Sequence, residues 1–164
     1  MENQVGIREE VWDSMLTADY NCCYWDRLAQ RYYTRQKWAE IFLAITASST
    51  VAAWGIWRHA ELVWQVLSVF ATLIAVILPI LNFKKVIAAT SDLLGVWIQI
   101  RGDYDMLWFD IEHNLVSPER AVDQFRKIKR KELDVERKLI NLRDDEKLLE
   151  QCRQEVIQAR GITE

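Results

Sequence analysis

Two apolar segments decide the fold, WAEIFLAITASSTVAAWGIW at Trp38–Trp57 and LVWQVLSVFATLIAVILPILNF at Leu62–Phe83. The first segment contains one charged residue, Glu40, and the second contains none. A helix of about 20 residues crosses a bilayer core of about 30 Å, so each segment is long enough to span a membrane. The sequence therefore predicts two transmembrane helices. A soluble helical bundle with two buried helices is the alternative.

The connector between the two segments is short. Residues Arg58 to Glu61 separate them, and so short a link joins two helices only as an antiparallel hairpin. Aromatic residues at both ends of the segments are typical of membrane interfaces. They are Trp54, Trp57 and Trp64 near the connector, with Trp38 and Phe83 at the opposite end.

The basic residues predict the orientation of this hairpin. They flank its outer ends, as Arg27, Arg31, Arg35 and Lys37 on one side and Lys84 and Lys85 on the other. The connector holds only Arg58, so the positive-inside rule places both termini in the cytoplasm. The heavily charged first 37 residues predict no cleavable signal peptide.

Composition excludes some classes of protein. The formal net charge is −3 over 164 residues, which gives no reason to expect a general nucleic-acid binder. Cys22, Cys23 and Cys152 show neither metal-ligand nor disulfide spacing, so we expect reduced thiols.

Outside the two apolar segments, apolar residues recur at steps of three and four, which is typical of packed or coiled helices. The first row is Val11, Met15, Ala18, Cys22, Trp25, Ala29, Tyr32 and Gln36. The second row is Val86, Thr90, Leu93, Trp97, Ile100, Tyr104, Leu107 and Ile111. We therefore expect one long helix to continue through the first span, and the second span to run without a break into a polar helix.

Ser117-Pro118 is a strong helix start signal, with an N-cap residue followed by proline in the first turn. It predicts a third helix to about Arg160, whose apolar row is interrupted by polar Glu132, Glu146 and Arg153. Residues Glu150–Glu164 then lie along the membrane surface or on a neighbouring subunit, or else the last helix ends early or is disordered.

The predicted fold is all-α and oligomeric: a two-span transmembrane hairpin continuous with a cytoplasmic bundle of three long helices. Residues 1–37 form the N-terminal cytoplasmic helix, residues 38–83 the transmembrane hairpin, and residues 84–164 a cytoplasmic helical hairpin.

Small and polar residues follow one face of the second span and are the candidate pore lining. They are Gln65, Ser68, Thr72, Ala75, Pro79 and Asn82. The opposite face is aliphatic, with Val66, Leu73, Ile77 and Ile80. Close helix packing by small residues is the alternative explanation, but a glutamine inside a span prefers water or protein to lipid.

A basic run on the third helix is a candidate site for a ligand or an acidic partner. It consists of Arg126, Lys127, Lys129, Arg130 and Lys131, continued by Arg137 and Lys138. Such a cluster attracts phosphate-bearing molecules. Pairing with the second helix would set Asp103 and Asp105 opposite this run and balance much of its charge.

The sequence contains no nucleophile elbow, no phosphate-binding glycine loop and no metal-ligand spacing. His59 and His113 are predicted on opposite sides of the membrane, and the acidic pairs lie in charge-rich helices typical of solvated faces. We therefore expect neither an enzyme nor a cofactor.

The arrangement resembles the SLATT type of bacterial two-transmembrane effector. The resemblance rests on YWDRLAQRYYTRQKW before the two apolar segments, FKKVIAATSDLLGVW after them, and the long helical tail. It implies an effector of anti-phage defence that permeabilises the inner membrane when triggered, and it carries over no catalytic residue. It also implies a separately encoded sensor or a partner that synthesises a nucleotide or nucleic acid, and a nucleotide or oligonucleotide as ligand.

The function predicted from these observations is an oligomeric pore or channel that disrupts the bacterial inner membrane. Two helices cannot enclose a water path, so we expect a homo-oligomer of four or more subunits in the bilayer. The alternative is a non-conducting membrane scaffold that recruits a cytoplasmic enzyme through its helical bundle.

Overall fold

The computed structural model describes residues 2–47, 61–139 and 145–161, and each regular element among them is an α-helix. The all-α prediction is confirmed for this part of the chain. In chain order the helices are α1 (Glu2–Ala47), α2 (Glu61–Leu81), α3 (Phe83–Glu112), α4 (Pro118–Leu139) and α5 (Glu146–Ala159).

The chain divides into two compact units. Unit 1 combines Met1–Leu28 with Thr90–Glu164, and unit 2 is Ala29–Ala89. Both unit boundaries fall inside helices, α1 and α3. Helix bounds alone therefore do not separate the two units.

The predicted apolar rows of α1 and α3 form the core of unit 1. Because a helix returns to the same face every three or four residues, these rows bury one side of each helix. The buried members are Val11, Met15, Ala18, Cys22 and Trp25 on α1, and Thr90, Trp97, Ile100, Tyr104 and Leu107 on α3. Leu93 and Ile111 are half-buried.

The turn between α3 and α4 has a clear local cause. Asn114 takes the left-handed conformation at φ 54°, which asparagine tolerates better than most residues. The Leu115 amide donates to the Asp110 carbonyl at 2.8 Å, and the Asn114 amide donates to the Ile111 carbonyl at 3.2 Å. These two bonds form a Schellman motif, which ends α3. The Ser117 carbonyl then accepts from Ala121 at 2.9 Å, and α4 begins at Pro118, as predicted.

A buried carboxylate joins α4 to α3. Glu132 is 2% exposed and accepts a hydrogen bond of 2.7 Å from the hydroxyl of Tyr104. Lys129 lies 2.9 Å from the same carboxylate. Burial, and then the bond to Glu132, raise the pKa of Tyr104, so this phenol stays a donor. Glu132, a polar interruption of the apolar row in the sequence, is part of the core.

The predicted single third helix is instead two helices, α4 and α5. Asp145 has an extended backbone (φ −98°, ψ 95°), and its carboxylate accepts from the Leu148 amide, so it is the N-cap that begins α5. The carboxylate satisfies an amide that has no partner within the helix. Residues 140–144, within the predicted third helix, lie outside the described residues. The final helix belongs to unit 1, where Leu148 and Cys152 are buried.

The prediction of an unbroken helix from the second span into α3 is wrong at Asn82. This residue has φ 44°, and the Lys85 amide donates to its carbonyl at 2.9 Å as a new helix begins. Pro79 lies inside α2, where its ring removes a backbone donor and disturbs the helix. The sequence signal for this break was present in Pro79 and Asn82.

No helix in the described part of the chain is by itself long and apolar enough to count as a membrane span. Val66–Ile80 and Phe83–Glu112 meet the criteria of length and composition only together, with a 46° bend at their break. The first apolar segment is described only as far as Ala47, and its predicted connector and Trp54 and Trp57 lie outside the described residues.

The buried pair predicts an effect on stability. Tyr104→Phe removes the hydroxyl that Glu132 accepts from, and hydrogen bonds to charged groups contribute about 1.5–3 kcal/mol. We expect the free energy of unfolding to fall by that amount in denaturant titrations of the purified protein. Tyr33→Phe is the matched control, because Tyr33 is 60% exposed and its loss should stay within about 0.5 kcal/mol. Equal effects of both variants would contradict this account.

Candidate functional site

The predicted pore-lining row lies on α2, within unit 2. Ser68, Thr72, Ala75 and Pro79 are all exposed, and Asn82 is exposed immediately after the helix. The side chain of Gln65 lies outside the described residues. The described members of the row are therefore surface residues of unit 2.

A different row of α2 is partly covered. Between Val66 and Ile80 the half-buried side chains are Leu67, Ala71, Ile74 and Leu78. Each member of the polar row from Ser68 to Pro79 follows one of these residues directly, which places it about 100° further around the helix. The contact that α2 makes within the chain therefore uses leucine, isoleucine and alanine, and it leaves the small and hydroxyl side chains outside that contact.

The hydroxyl of Thr72 is already partly satisfied within α2. Its Oγ1 donates to the carbonyl of Ser68 at 2.9 Å. This local bond uses the hydroxyl proton, so threonine costs less in an apolar environment, while the oxygen can still accept. Thr72 therefore suits either a water path or a helix interface.

The aliphatic face of α2 is also exposed, at Val66, Leu73, Ile77 and Ile80, whose exposures run from 46% to 74%. Monomeric soluble proteins rarely leave so continuous an apolar surface open. Both the aliphatic and the polar faces of α2 are thus exposed where the structure describes them.

The predicted basic run lies on α4, within unit 1, and its first three lysines are paired. Lys127 lies 2.7 Å from Asp123, Lys129 2.9 Å from Glu132, and Lys131 2.8 Å from Asp103. The hydrogen bond from Lys127 lowers the pKa of Asp123. The expectation that Asp103 balances part of this charge is confirmed, although its partner is Lys131. Asp105 contacts Arg101 and Arg160.

The arginines of the basic run form no close ion pair among the described residues, although the charges of Arg126 and Arg130 help to lower the pKa of Asp123. Arg126, Arg130 and Arg137 are exposed and lie at positions i, i+4 and i+11, which share one face of a helix. That face is opposite the buried side, and Leu133, 46% exposed, lies between the arginines. The structure thus reduces the predicted basic run to a row of three guanidinium groups, which we call the arginine row. Guanidinium groups bind phosphate or carboxylate in bidentate geometry.

A cavity that sequence analysis did not identify lies in unit 1, between the first turns of α1, the end of α3 and the start of α4. It measures 730 Å³, and Trp12 and Trp108 lie in its wall with ring centroids 5.2 Å apart. Arg8 stacks 5.2 Å from the Trp108 centroid and lies 3.7 Å from Glu112. The guanidinium group of Arg8 therefore already contacts Trp108 and Glu112. The cavity offers a ligand mainly apolar and aromatic contacts.

No group of three or more histidine, cysteine or acidic side chains that could hold a metal ion occurs in the part of the chain that is described. Comparison of the chain with protein-family models, curated proteins and solved structures found no match. Functional interpretation therefore depends on the two surfaces on α2 and α4.

Anion binding by α4 should depend on its arginines and not on its lysines. We expect Arg126→Gln with Arg130→Gln to weaken binding of a fluorescent single-stranded oligonucleotide and to lower the salt dependence by about one unit per lost contact. Lys127→Gln with Lys131→Gln is the matched control, because these lysines already contact Asp123 and Asp103. Fluorescence anisotropy across a salt series measures both quantities. Equal losses, or no binding by the wild type, would count against the arginine row as an anion site.

Proposed function

We propose that this chain is a membrane effector that assembles four or more copies into a pore or channel in the bacterial inner membrane. Both termini lie in the cytoplasm in this proposal. A nucleotide signal, or a separately encoded partner, triggers the pore, which disrupts the membrane during anti-phage defence. The defence role rests on the resemblance to SLATT-type effectors.

One observation carries the membrane part of the proposal. Every buried core residue of the described chain belongs to unit 1, and the described residues of unit 2 include none. Unit 2 instead exposes large aliphatic, phenylalanine and tryptophan side chains. They are Trp38, Ile41, Ile45, Val66, Val69, Phe70, Leu73, Val76, Ile77 and Ile80, which are 37% to 74% exposed. Fully burying one such side chain is worth about 1.5–3 kcal/mol, so lipid or further copies of the chain would stabilise unit 2.

Two partly covered rows support a helical hairpin in unit 2. On α1 the half-buried side chains include Tyr32, Gln36, Ala39, Leu43 and Thr46, at steps of four and three. The Leu67–Leu78 row of α2 has the same spacing. In the proposed hairpin these rows face one another, and the Tyr32 and Phe83 rings, 6.2 Å apart, contact each other at its cytoplasmic end.

The exposed polar row supports the pore rather than packing inside one hairpin. Ser68, Thr72, Ala75 and Pro79 would be covered if they only allowed α1 and α2 to approach closely, but they are exposed. In an oligomer this row faces the shared axis and the aliphatic face contacts lipid. The arginine row of α4 then supplies the cytoplasmic surface that receives a phosphate-bearing trigger.

The competing proposal is a non-conducting scaffold, and a second observation favours it. Unit 1 also exposes large apolar side chains, including Met106 at 64%, Phe109 at 53% and Leu115 at 66%. Apolar groups of this kind beside charged ones are typical of surfaces that bind other proteins. In a scaffold the same α2 surface would pack between helices without enclosing water.

Topology is the first test of this proposal. In a cysteine-free background, Ala60→Cys should react with an impermeant maleimide added to intact cells, because the positive-inside rule places the connector outside. Glu164→Cys should react only after the cells are permeabilised, which also shows that this cysteine is intact. The reverse labelling pattern would overturn the orientation and the cytoplasmic location of unit 1.

The second test concerns Thr72 and separates the pore from the scaffold. If the polar row lines a water path, Thr72→Leu should reduce ion flux and cell toxicity while oligomer mass is unchanged, because leucine narrows and dries a constriction. If the row only packs, the added volume should weaken assembly first, at about 1–3 kcal/mol per overpacked contact. Single-channel recording and native mass measurement on the same preparation give both readouts.

Val66→Leu is the matched control for this test, since it places the same side chain on the aliphatic face and should leave both readouts unchanged. Full conductance in Thr72→Leu, or loss of assembly before loss of conductance, would favour the scaffold. A wild-type chain that stays monomeric or dimeric in mild detergents and in nanodiscs would remove the pore.

A further inference from the structure

Two cysteines far apart in the chain meet in unit 1. The Sγ of Cys23 on α1 and the Sγ of Cys152 on α5 lie 2.8 Å apart, although 129 positions separate them in sequence. A disulfide bond length is about 2.05 Å, so a shift of less than about 1 Å would bring the sulfurs to bonding distance. Both residues are free thiols in the structure.

The third cysteine provides an internal comparison. Cys22 is buried but has no sulfur neighbour among the described contacts, because adjacent residues on a helix point about 100° apart. Of the two neighbouring thiols on α1, only that of Cys23 is therefore in described contact with Cys152.

The two thiols differ in access. Cys152 is fully buried at 0% exposure, whereas Cys23 is half-buried and lines an open cleft between α1, α3 and α5. A small oxidant would therefore reach Cys23 first, and Cys152 would be positioned to react with the oxidised sulfur.

The helix that carries Cys152 contacts the rest of unit 1 through buried side chains and through ion pairs. Glu155 pairs with Arg27, and these side chains are 50% and 37% exposed. Arg160 donates to Asp19 at 2.7 Å. The exposed Arg27–Glu155 pair contributes little net stability, whereas the Arg160–Asp19 pair is more sheltered, at 30% and 13% exposure. The fully buried side chains of α5 are Leu148 and Cys152. A covalent bond at Cys152 would therefore change how firmly α5 is held.

We propose that Cys23 and Cys152 form an oxidisable dithiol site, in which hydrogen peroxide produces a Cys23–Cys152 bond that fixes α5 to α1. With peroxide, the Cys23 sulfur attacks one oxygen and becomes a sulfenic acid as water leaves. The Cys152 thiol then attacks the sulfenic sulfur, the disulfide forms, and a second water leaves. Two thiols lose two electrons and two protons in total, and one peroxide is reduced. This site is independent of the proposed pore.

The environment of Cys23 determines how fast this reaction runs. Burial, followed by the hydrogen bonds to Cys152 and Glu155, raises the pKa of Cys23 to about 12. Since the thiolate is the nucleophile, oxidation should be slow at neutral pH and should accelerate about tenfold for each pH unit up to that value. The other charged groups around this cleft are Asp19, Asp26 and Arg27 on α1, Arg101 and Asp105 on α3, and Arg160, just after α5.

Peptide mapping of the full-length protein in mild detergent tests the site directly. After treatment with hydrogen peroxide, the wild type and Cys22→Ser should each lose the mass of two hydrogen atoms and yield a peptide linked through Cys23 and Cys152. Cys152→Ser should form no link and should instead accumulate a sulfenic acid at Cys23 that dimedone traps. Between pH 7 and pH 9 the rate of linkage should rise about a hundredfold.

Oxidation should also stabilise the wild type. A cross-link that closes a long loop restricts the unfolded chain, so we expect the Tm to rise by about 5 °C or more relative to the dithiothreitol-reduced protein, and to return on reduction. Cys152→Ser should show no such change. A linked Cys22–Cys23 peptide, a bond between chains, or no linkage in the wild type after prolonged exposure at pH 9 would overturn the proposal, whether or not the variants fold.

Discussion

Tyr104 makes the central contact of unit 1, because one side chain connects three helices. It lies on α3 with no exposed surface. Its hydroxyl donates to Glu132 on α4, and the Ser14 side chain on α1 acts in the opposite direction to Glu132 on its pKa. A buried carboxylate left without partners would cost several kilocalories per mole. The phenol and Lys129 together satisfy it, so both the spacing and the register of α4 against α3 depend on this group.

The same core contains a local cost. The indole Nε1 atoms of Trp25 and Trp97 are buried, and neither has a hydrogen-bond partner in the described structure. Leaving a buried donor without a hydrogen bond costs about 1–3 kcal/mol, whereas an aromatic ring of this size buries about 150–250 Å². At about 25 cal/mol per Å², burial of the ring offsets the cost of the orphaned N–H. Packing therefore decides the positions of these indoles.

Unit 2 follows the opposite pattern, and the hydrophobic effect explains both units. In unit 1 the apolar rows are covered by neighbouring helices, while in the described part of unit 2 side chains are at most half-buried and many large apolar ones face outward. Such a surface is stable where the surroundings are themselves apolar. The proposed pore adds one element to this pattern, since a row of small and hydroxyl side chains needs water or another helix in place of lipid.

The sequence by itself determined the features that depend on local periodicity. Steps of three and four on α1 and α3 predicted the buried rows through Val11, Trp25, Trp97 and Tyr104, because helix geometry alone decides which residues share a face. Ser117-Pro118 predicted the start of α4 for an equally local reason. Pro79 and Asn82 also carried a local signal for the break after α2, and Asp145 carried one for the N-cap of α5. Each of these residue types occurs both inside helices and at helix ends, and the neighbouring structure decides which of the two positions it takes.

The tertiary structure decided which distant groups meet. The lysines and arginines of the basic run look alike in sequence. The structure shows that Lys129 pairs with Glu132 and Lys131 with Asp103, whereas the arginine row is exposed. Glu132 looks like an interruption until Tyr104 is placed beside it, and the 129 positions between Cys23 and Cys152 leave no spacing to recognise. These contacts depend on how whole helices pack, and the residues that set that packing are spread over the chain.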